Sequence, residues 1–383
     1  MLARFVTDFG NVVAYLDARD FAVTILSAAS MGEGNAAFDS AEQYKKYKAI
    51  LPNRVVVDNL PYKRGQLTLA AISRLFLRAV KLATSSPNAI FLIWTYVMIV
   101  VFGIPLRILN RKCLFMVTGL GPILDPRSSR FRWQRWLMMR IYGYLLRGKN
   151  SRCLVHNHED KAYLVNMLNV NPLKIFVTPG CGVDQRNFPF FAEAPRRVEK
   201  IILVPARLLV EKGVLDAVAA SSILAARGIK HKMKFTGSIE PYGSIGVSED
   251  QIRQLQEENF CIEFVGFQDS LVPLYEECDI VCLPTKYPEG LPTTLIEAAA
   301  SGRATVTCDN VGCREIVKDE VTGLLVPMGD VEALANALQR MIEDEELRDR
   351  LRFNAYKQYQ QEYTKDVVLS RTLASLESLG CIF

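Results

Sequence analysis

Histidine and cysteine are scarce in this sequence. The 383 residues include three histidines and nine cysteines. Nine cysteines are too few for a disulfide scaffold in a chain of this length. No charged-then-apolar leader with a small-residue cleavage site is present. We therefore expect a reduced, cytoplasmic protein.

The sequence also lacks a set of residues with metal-ligand spacing. The pairs Cys278/Cys282 and Cys308/Cys313 have no histidine or further cysteine pair that would complete a ligand set. We expect buried thiols at these four positions and no metal site.

Charge is distributed unevenly along the chain. Residues 1–190 contain 25 Lys and Arg against 11 Asp and Glu, whereas residues 191–383 contain 21 against 30. A basic first half predicts an anionic partner, which could be phospholipid, nucleic acid or a phosphorylated substrate. Composition alone does not choose among these three.

Short apolar strands alternate with amphipathic helices in both halves, which predicts parallel sheets built from βαβ units. Half of the residues are apolar, enough for two large cores. The turn-rich segment 179–184 separates the halves. We expect two Rossmann-like, doubly wound α/β domains facing across a cleft. Their predicted bounds are 1–184 and 185–362, with a C-terminal helix, 363–383, packing back towards the first domain.

The run Ala89–Leu106 is uncharged and almost wholly apolar over 18 residues, which reaches the length of a membrane span. Pro105 near its end argues against a span, and a strand followed by a buried helix gives the same pattern. We expect the strand and core helix.

A second segment, Arg127–Arg152, has eight basic residues, no acidic one, and interleaved aromatic residues that include Trp133 and Trp136. On a helix this mixture is typical of a surface that lies against lipid headgroups, although an ordinary solvated basic face remains an alternative. The candidate membrane residues are Arg127, Arg130, Arg132, Arg135 and Arg140.

Two acidic residues eight positions apart carry the most chemical information. Glu289 lies in the loop after the apolar strand Asp279–Leu283, and Glu297 lies within the helix that follows this loop. Free backbone N–H groups in the first turn of that helix favour an anion. The arrangement suits a diphosphate flanked by acceptors for the hydroxyls of two sugars.

Two cations follow an earlier strand. Arg207 ends the strand and Lys212 begins the next helix. Together they could neutralise a leaving diphosphate, although an ion-paired surface loop, with Glu211 as partner, is the alternative.

Together these segments resemble the retaining, nucleotide-sugar-dependent glycosyltransferases of family 4, which have the GT-B fold. Glu289 and Glu297 match the family's E-x7-E motif, and Arg207, Lys212 and Gly213 match its Arg…Lys-Gly motif. The resemblance covers roughly residues 110–380. Segments 118–121 and 155–160 further resemble the bacterial branch that builds capsule, O-antigen and exopolysaccharide on polyprenyl-diphosphate lipids.

The resemblance implies a role for each matching residue. Arg207, Lys212 and Glu289 would be catalytic, the two cations by stabilising the leaving diphosphate and Glu289 by contacting the donor sugar. Glu297 would accept hydrogen bonds from the ribose. The remaining donor-binding residues would be Gly290, Leu291 and Thr293.

The resemblance also implies the partners. The donor would be a nucleotide sugar, most simply a UDP-sugar, with no metal or other cofactor. The acceptor would be a polyprenyl-diphosphate-linked saccharide, and nucleic acid would not be a partner. We therefore expect a cytoplasmic protein that is peripheral at the inner face of the cell membrane.

Two departures from the family concern the first domain. Thr118 and Gly119 stand in the neighbourhood where many relatives carry a histidine, so they are our acceptor-side candidates. Only twenty residues precede the strand that begins at Phe21, so we expect the usual first strand and glycine loop to be absent. This departure keeps a non-catalytic, membrane-associated scaffold open as an alternative. A nucleotide-sugar epimerase on the same fold is a second alternative.

Overall fold

The structure is a computed structural model. It describes Leu16 and residues 24–28, 56–60, 68–119, 132–192, 197–239, 246–287 and 289–380. The chain divides into two compact units, residues 1–181 with 365–383, and residues 182–364. The expected boundary at residue 184 lies close to this division. The expectation about an absent first strand concerns residues outside the described part.

The first unit contains a parallel sheet of four strands in the order β3-β4-β5-β6 and a separate parallel pair, β1-β2. The strands are β1 Thr24–Ala28, β2 Val56–Leu60, β3 Ile90–Trp94, β4 Lys112–Val117, β5 Ser151–Val155 and β6 Ile175–Val177. The helices are α1 Leu69–Ser85, α2 Tyr96–Ile108, α3 Arg132–Leu146 and α4 His158–Leu168.

The apolar run Ala89–Leu106 forms β3 and most of α2, which confirms the expected strand and core helix. Helix α2 packs tightly against α3, because a Cβ on Gly103 would lie 2.8 Å from Leu145 Cδ1. No helix in the described segments is both long and apolar enough to cross a membrane.

The C-terminal helix, Lys365–Glu377, belongs to the first unit and packs on β5 and β6. Leu373 and Leu376 share an apolar cluster with Leu114 and Leu154 of the sheet. At the end of the helix, the Arg152 guanidinium donates to the Ser378 carbonyl oxygen at 2.8 Å.

The second unit contains a parallel sheet of six strands in the order β12-β11-β10-β7-β8-β9. The strands are β7 Lys200–Pro205, β8 His231–Thr236, β9 Ile262–Gly266, β10 Ile280–Leu283, β11 Ala304–Cys308 and β12 Leu324–Val326. The helices are α5 Val214–Ala226, α6 Glu249–Glu258, α7 Val272–Glu277, α8 Thr293–Ala300, α9 Val311–Ile316, α10 Val331–Glu343 and α11 Glu345–Glu362.

The strand order of this sheet reverses between β7 and β10, which are neighbours although their paired positions Ile202 and Ile280 lie 78 residues apart in the sequence.

 In the chain, residues 206–279 lie between the end of β7 and the start of β10. In a doubly wound sheet, ligands bind outside the carboxyl ends of the strands at the point where the order reverses. The fold therefore places the ends of β7 and β10 at the position expected for a ligand.

Four cysteines lie in or beside these elements: Cys278 follows α7, Cys282 is in β10, Cys308 ends β11 and Cys313 is in α9. The four cysteines Cys278, Cys282, Cys308 and Cys313 are free and buried, in agreement with the expectation of buried thiols.

Candidate functional site

Lys212 is held against the end of β10 by the glycine that follows it. Gly213 adopts a φ of +75°, and a Cβ at this position would lie 1.9 Å from the Pro284 carbonyl oxygen. Only glycine allows this approach, because both the backbone angle and the space exclude a side chain. The turn Val210–Lys212 therefore reaches across from β7 to β10.

Lys212 and Glu289 meet at this edge of the sheet. The Lys212 ammonium forms an ion pair with Glu289 Oε1, and the two side chains are only 14% and 13% exposed. Thr285 Oγ1 donates a second hydrogen bond to Glu289 Oε1 at 3.2 Å. The Tyr287 ring lies 5.0 Å from Lys212 Nζ. The structure thus brings together two of the three candidate catalytic residues.

Backbone contacts fix the loop that carries Glu289. The Glu211 carbonyl oxygen accepts hydrogen bonds from the backbone N–H groups of Lys286 at 2.8 Å and Tyr287 at 3.1 Å. The Lys286 ammonium forms an ion pair with Asp216 at 2.9 Å. The loop after β10 is therefore tied to the segment after β7, which carries Lys212.

Helix α9 and the residue before it pack against the loop that carries Glu289. A Cβ on Gly312 would lie 2.7 Å from the Glu289 carbonyl oxygen and 2.8 Å from that of Gly290. The Asn310 side-chain amide donates to the Tyr287 carbonyl oxygen. No motif in the sequence indicates either supporting residue; the one local signal is an Asn at a position that can cap a helix after β11.

Gly290, Leu291 and Thr293 lie between Glu289 and the first turn of α8. Pro292 precedes the helix and provides no side-chain cap. The first N–H groups of a helix have no partner within it, and they carry a partial positive charge. The first turn of α8, which begins at Thr293, can therefore offer backbone donors to an anion beside Glu289.

Glu297 lies one turn further along α8, at a cavity of about 480 Å³. Tyr275 is fully buried, and its hydroxyl donates to Glu297 Oε2 at 2.9 Å. Burial raises the pKa of Glu297 to about 7, although the Tyr275 hydrogen bond lowers it. The cavity is lined by Asn187, Phe188, Gln268, Asp269, Ser270, Leu271, Val272 and Glu297.

Tyr275 is another residue of the site that no sequence motif indicates. Its hydroxyl also contacts the Thr294 carbonyl oxygen at 3.2 Å, and its ring packs edge-on against Phe188 with the ring centres 5.9 Å apart. Tyr275 therefore connects α7, the first turn of α8 and one wall of the cavity.

Arg207 follows the end of β7 and is exposed. A Cβ on Gly237 would lie 2.0 Å from the Ala206 carbonyl oxygen and 3.1 Å from Arg207 Cα. Gly237 therefore allows the ends of β7 and β8 to approach closely. Arg207 and Lys212 come from the same β7–α5 connection.

The acceptor-side candidates lie in the first unit. Thr118 and Gly119 follow the carboxyl end of β4 and are half-buried. At the end of the neighbouring strand β5, His156 is buried and its Nδ1 lies 3.0 Å from the Thr178 carbonyl oxygen. His156 is thus a buried polar residue that directly follows the end of β5.

Of the candidate membrane residues, Arg132 and Arg140 are exposed on α3, Arg135 is half-buried, and Arg127 and Arg130 lie outside the described residues. The aromatic residues of this helix divide between two faces. Trp133 and Trp136 are exposed, whereas Tyr142 is buried in the core of the unit.

Most of the second unit matches a known protein family. Residues 185–358, just under half of the chain, match the family described as Glycosyl transferases group 1. Glu289, Glu297, Arg207 and Lys212 all lie within this segment.

The chain is also similar in sequence to bacterial proteins that are named as glycosyltransferases. The chain is 26% identical over 271 residues to an N,N'-diacetylbacillosaminyl-diphospho-undecaprenol alpha-1,3-N-acetylgalactosaminyltransferase of Campylobacter jejuni, covering 67% of this chain and 68% of that protein. It is 31% identical over 153 residues to the amylovoran biosynthesis glycosyltransferase AmsK of Erwinia amylovora, covering 38% and 36%. The matched segment therefore spans between about a third and two thirds of these relatives.

Solved structures share the fold over nearly the whole chain. A sucrose-phosphate synthase from Thermosynechococcus elongatus aligns with a TM-score of 0.75 and 21% identity over 97% of this chain and 92% of its own. The Anabaena protein HepE, solved with UDP, aligns with a TM-score of 0.70 and 19% identity over 94% and 100%. The chain is a glycosyltransferase of the GT-B fold, and its residues 185–358 match the Glycosyl transferases group 1 family.

Proposed function

We propose that the chain transfers a sugar from a nucleotide diphosphate sugar, most simply a UDP-sugar, to a saccharide linked to a polyprenyl diphosphate. The contact between Lys212 and Glu289 at the reversal point of the second sheet carries this proposal. It puts a cation and a carboxylate at the position where a doubly wound sheet binds nucleotides.

We propose a role for each residue that agrees with its position. Lys212, with Arg207, neutralises the diphosphate as it leaves. Glu289 contacts the donor sugar, and the backbone N–H groups near Gly290, Leu291 and Thr293 bind sugar and phosphate. Glu297 accepts hydrogen bonds from the ribose hydroxyls at the cavity.

We further propose that transfer retains the configuration of the donor sugar, as in family 4, and needs no divalent metal. Arg207, Lys212 and the N-terminus of α8 supply the positive charge that a metal would supply. The leaving diphosphate helps to deprotonate the acceptor on the same face of the sugar, so that no protein nucleophile is required.

The acceptor class is supported by the relatives. The Campylobacter jejuni transferase above is named for an undecaprenol-diphosphate substrate, and so is an Escherichia coli alpha-1,3-galactosyltransferase that is 24% identical over 208 residues. UDP bound to HepE supports a UDP-sugar as donor. A lipid-linked acceptor would place the protein at the cytoplasmic face of the membrane, and cell-surface polysaccharide would be the product.

A donor-binding experiment tests the proposal first. We expect one member of a panel of UDP-, GDP- and ADP-sugars to stabilise the protein by about 3 kcal/mol at a hundredfold excess over its Kd. Glu297→Ala should abolish this stabilisation. The absence of a shift with every donor, in a folded sample, would contradict the proposal and favour a non-catalytic scaffold.

Transfer itself is tested with the identified donor and a polyprenyl-diphosphate-linked saccharide. Lys212→Ala and Arg207→Ala should each lower kcat by roughly 10²–10³, the cost of removing one preorganised charge from a transition state. The anomeric configuration of the product, measured by NMR, should match that of the donor. An equal rate with and without EDTA is expected; loss of activity in EDTA would refute metal independence.

A further inference from the structure

The outward face of α3 combines aromatic and basic residues. Trp133 and Trp136 are each about two-thirds exposed, and Tyr144 is nearly half exposed. Leu137 and Arg140 are also exposed. At 100° per residue these five side chains share one side of the helix, opposite the buried residues Tyr142, Leu145 and Leu146.

A group of cations continues this face beyond the end of α3. Its members surround Gly148 and are Arg107, Arg147, Lys149, Arg152 and Lys174, here called the cation cluster. Backbone carbonyl groups accept hydrogen bonds from two of these cations. The Lys174 ammonium donates to the Gly148 carbonyl oxygen at 2.8 Å, and the Arg152 guanidinium donates to the Lys149 carbonyl oxygen at 3.1 Å.

Among the residues that the structure describes, none supplies a carboxylate partner to the cation cluster. Arg147 donates to the Leu168 carbonyl oxygen at 2.7 Å. Within the described segments, no member of the cluster forms an ion pair with a carboxylate. Burial lowers the pKa of Lys174, and the positive charges of Arg152 and Arg107 lower it further. The cluster therefore concentrates positive charge that a bound anion would neutralise.

The aromatic face and the cation cluster form one surface. The Arg107 guanidinium lies 5.4 Å from the centre of the Tyr144 ring, which joins the two. Exposed apolar residues stand next to the cations along the chain: Ile108 follows Arg107, and Leu173, which is 82% exposed, precedes Lys174. We call this combination the α3 surface.

We propose that the α3 surface binds the anionic face of a lipid bilayer, with both tryptophans at the depth of the headgroups and the cation cluster on lipid phosphates. Charge complementarity selects this partner, because the surface has several cations, no acidic residue on α3, and exposed tryptophan and leucine. Tryptophan and tyrosine favour the membrane interface, and basic residues beside them favour anionic lipids. The inference rests on the proposed function in one respect: membrane binding would bring the active site to a lipid-linked acceptor.

Tryptophan fluorescence provides a direct test. The sequence has three tryptophans, two of which lie on the α3 surface and one, Trp94, in β3. With vesicles of phosphatidylcholine and phosphatidylglycerol we expect a blue shift and co-sedimentation. With phosphatidylcholine alone, or with the mixed vesicles in high salt, binding should weaken strongly, because screening removes the attraction between charges.

Two variants locate the binding to this surface. Trp133→Ala/Trp136→Ala should reduce co-sedimentation, and Arg140→Glu/Arg147→Glu should weaken it by at least about fivefold for each charge removed. Phe260→Ala and Arg253→Glu, at exposed positions of the second unit, are the matched controls and should bind like the wild type.

Three results would overturn the inference. These are equal binding of the wild type and both α3 variants, failure of the wild type to bind anionic vesicles, and binding to single-stranded RNA that anionic vesicles do not displace. The donor-induced thermal shift, measured on the same proteins without vesicles, tests the proposed function separately. A normal shift in a variant that has lost vesicle binding also shows that the variant is folded.

Discussion

Donor binding should tighten as the pH rises through 7, because Glu297 is the carboxylate that we propose to bind the ribose, and burial raises its pKa to about 7. An ionised carboxylate accepts hydrogen bonds at both oxygens, whereas a protonated one has lost acceptor capacity. Tyr275 already donates to Glu297 Oε2 at 2.9 Å. Ribose hydroxyls can add further donors only to the ionised form.

The size of the effect follows from the position of this pKa. About a tenth of the carboxyl groups are ionised at pH 6 and about nine-tenths at pH 8, when the pKa is 7. If only the ionised form binds, the donor Kd falls about tenfold over this range, equivalent to roughly 1.4 kcal/mol. Below pH 6 the Kd should continue to rise tenfold for each pH unit.

Isothermal titration with an intact nucleotide diphosphate sugar is the suitable assay, since its diphosphate, esterified at both ends, does not titrate between pH 6 and 8. Glu297→Gln is the matched control, because it removes the ionisation and keeps the shape. We expect weak binding by this variant with no slope between pH 6 and 8. A flat profile for the wild type, or an unchanged slope in Glu297→Gln, would refute the reasoning.

Two further predictions concern residues that support the site. Tyr275→Phe removes a hydrogen-bond donor from Glu297 and should therefore raise the pKa of Glu297, which moves the midpoint of donor binding to higher pH. The lost hydrogen bond should also lower the free energy of unfolding by about 1–2 kcal/mol. An unchanged midpoint would show that this hydrogen bond does not affect the pKa of Glu297. Gly213→Ala should destabilise the protein by more than about 3 kcal/mol in chemical denaturation, because it adds a clash with Pro284 to the strain of a positive φ. Gly228→Ala is its control, since Gly228 has a φ of +74° with no atom within 4 Å of the added Cβ and should lose only about 1 kcal/mol; equal losses would contradict the role assigned to the contact with Pro284.

Much of the second unit could be predicted from the sequence. The pattern of apolar residues predicts a strand at Lys200–Pro205, a helix at Val214–Ala226 and a strand at Ala304–Cys308, and the structure has each element with the same bounds. These elements are buried on both faces or strongly periodic, so local pattern and tertiary packing favour the same conformation. The motif residues Lys212 and Glu289 were indicated by their positions after strands.

The supporting residues could not be predicted in the same way. Tyr275, Gly312 and Asn310 act through contacts with residues that are distant in the sequence, and no local pattern distinguishes them from ordinary core or turn residues. On α3 the sequence indicated a basic and aromatic helix, but only the packing separates the exposed Trp133 from the buried Tyr142.

The ion pair between Lys212 and Glu289 has a consequence for the order of events at the site. Both side chains are mostly buried, and each neutralises the other while no donor is bound. In the proposed function, a donor diphosphate would compete with Glu289 for Lys212, and its binding would release the carboxylate towards the donor sugar. Glu289→Gln removes the competitor, and UDP should therefore bind at least as tightly to this variant as to the wild type.

The same substitution should nevertheless abolish most of the transfer. Glu289→Gln leaves Lys212 free to hold the diphosphate but deprives the sugar of its carboxylate partner, so we expect kcat to fall by roughly 10²–10³. Lys212→Ala is the opposite control, because it should weaken UDP binding and transfer together. If Glu289→Gln instead weakened UDP binding as much as Lys212→Ala does, the carboxylate would serve to position the lysine, and its assigned contact with the sugar would be wrong.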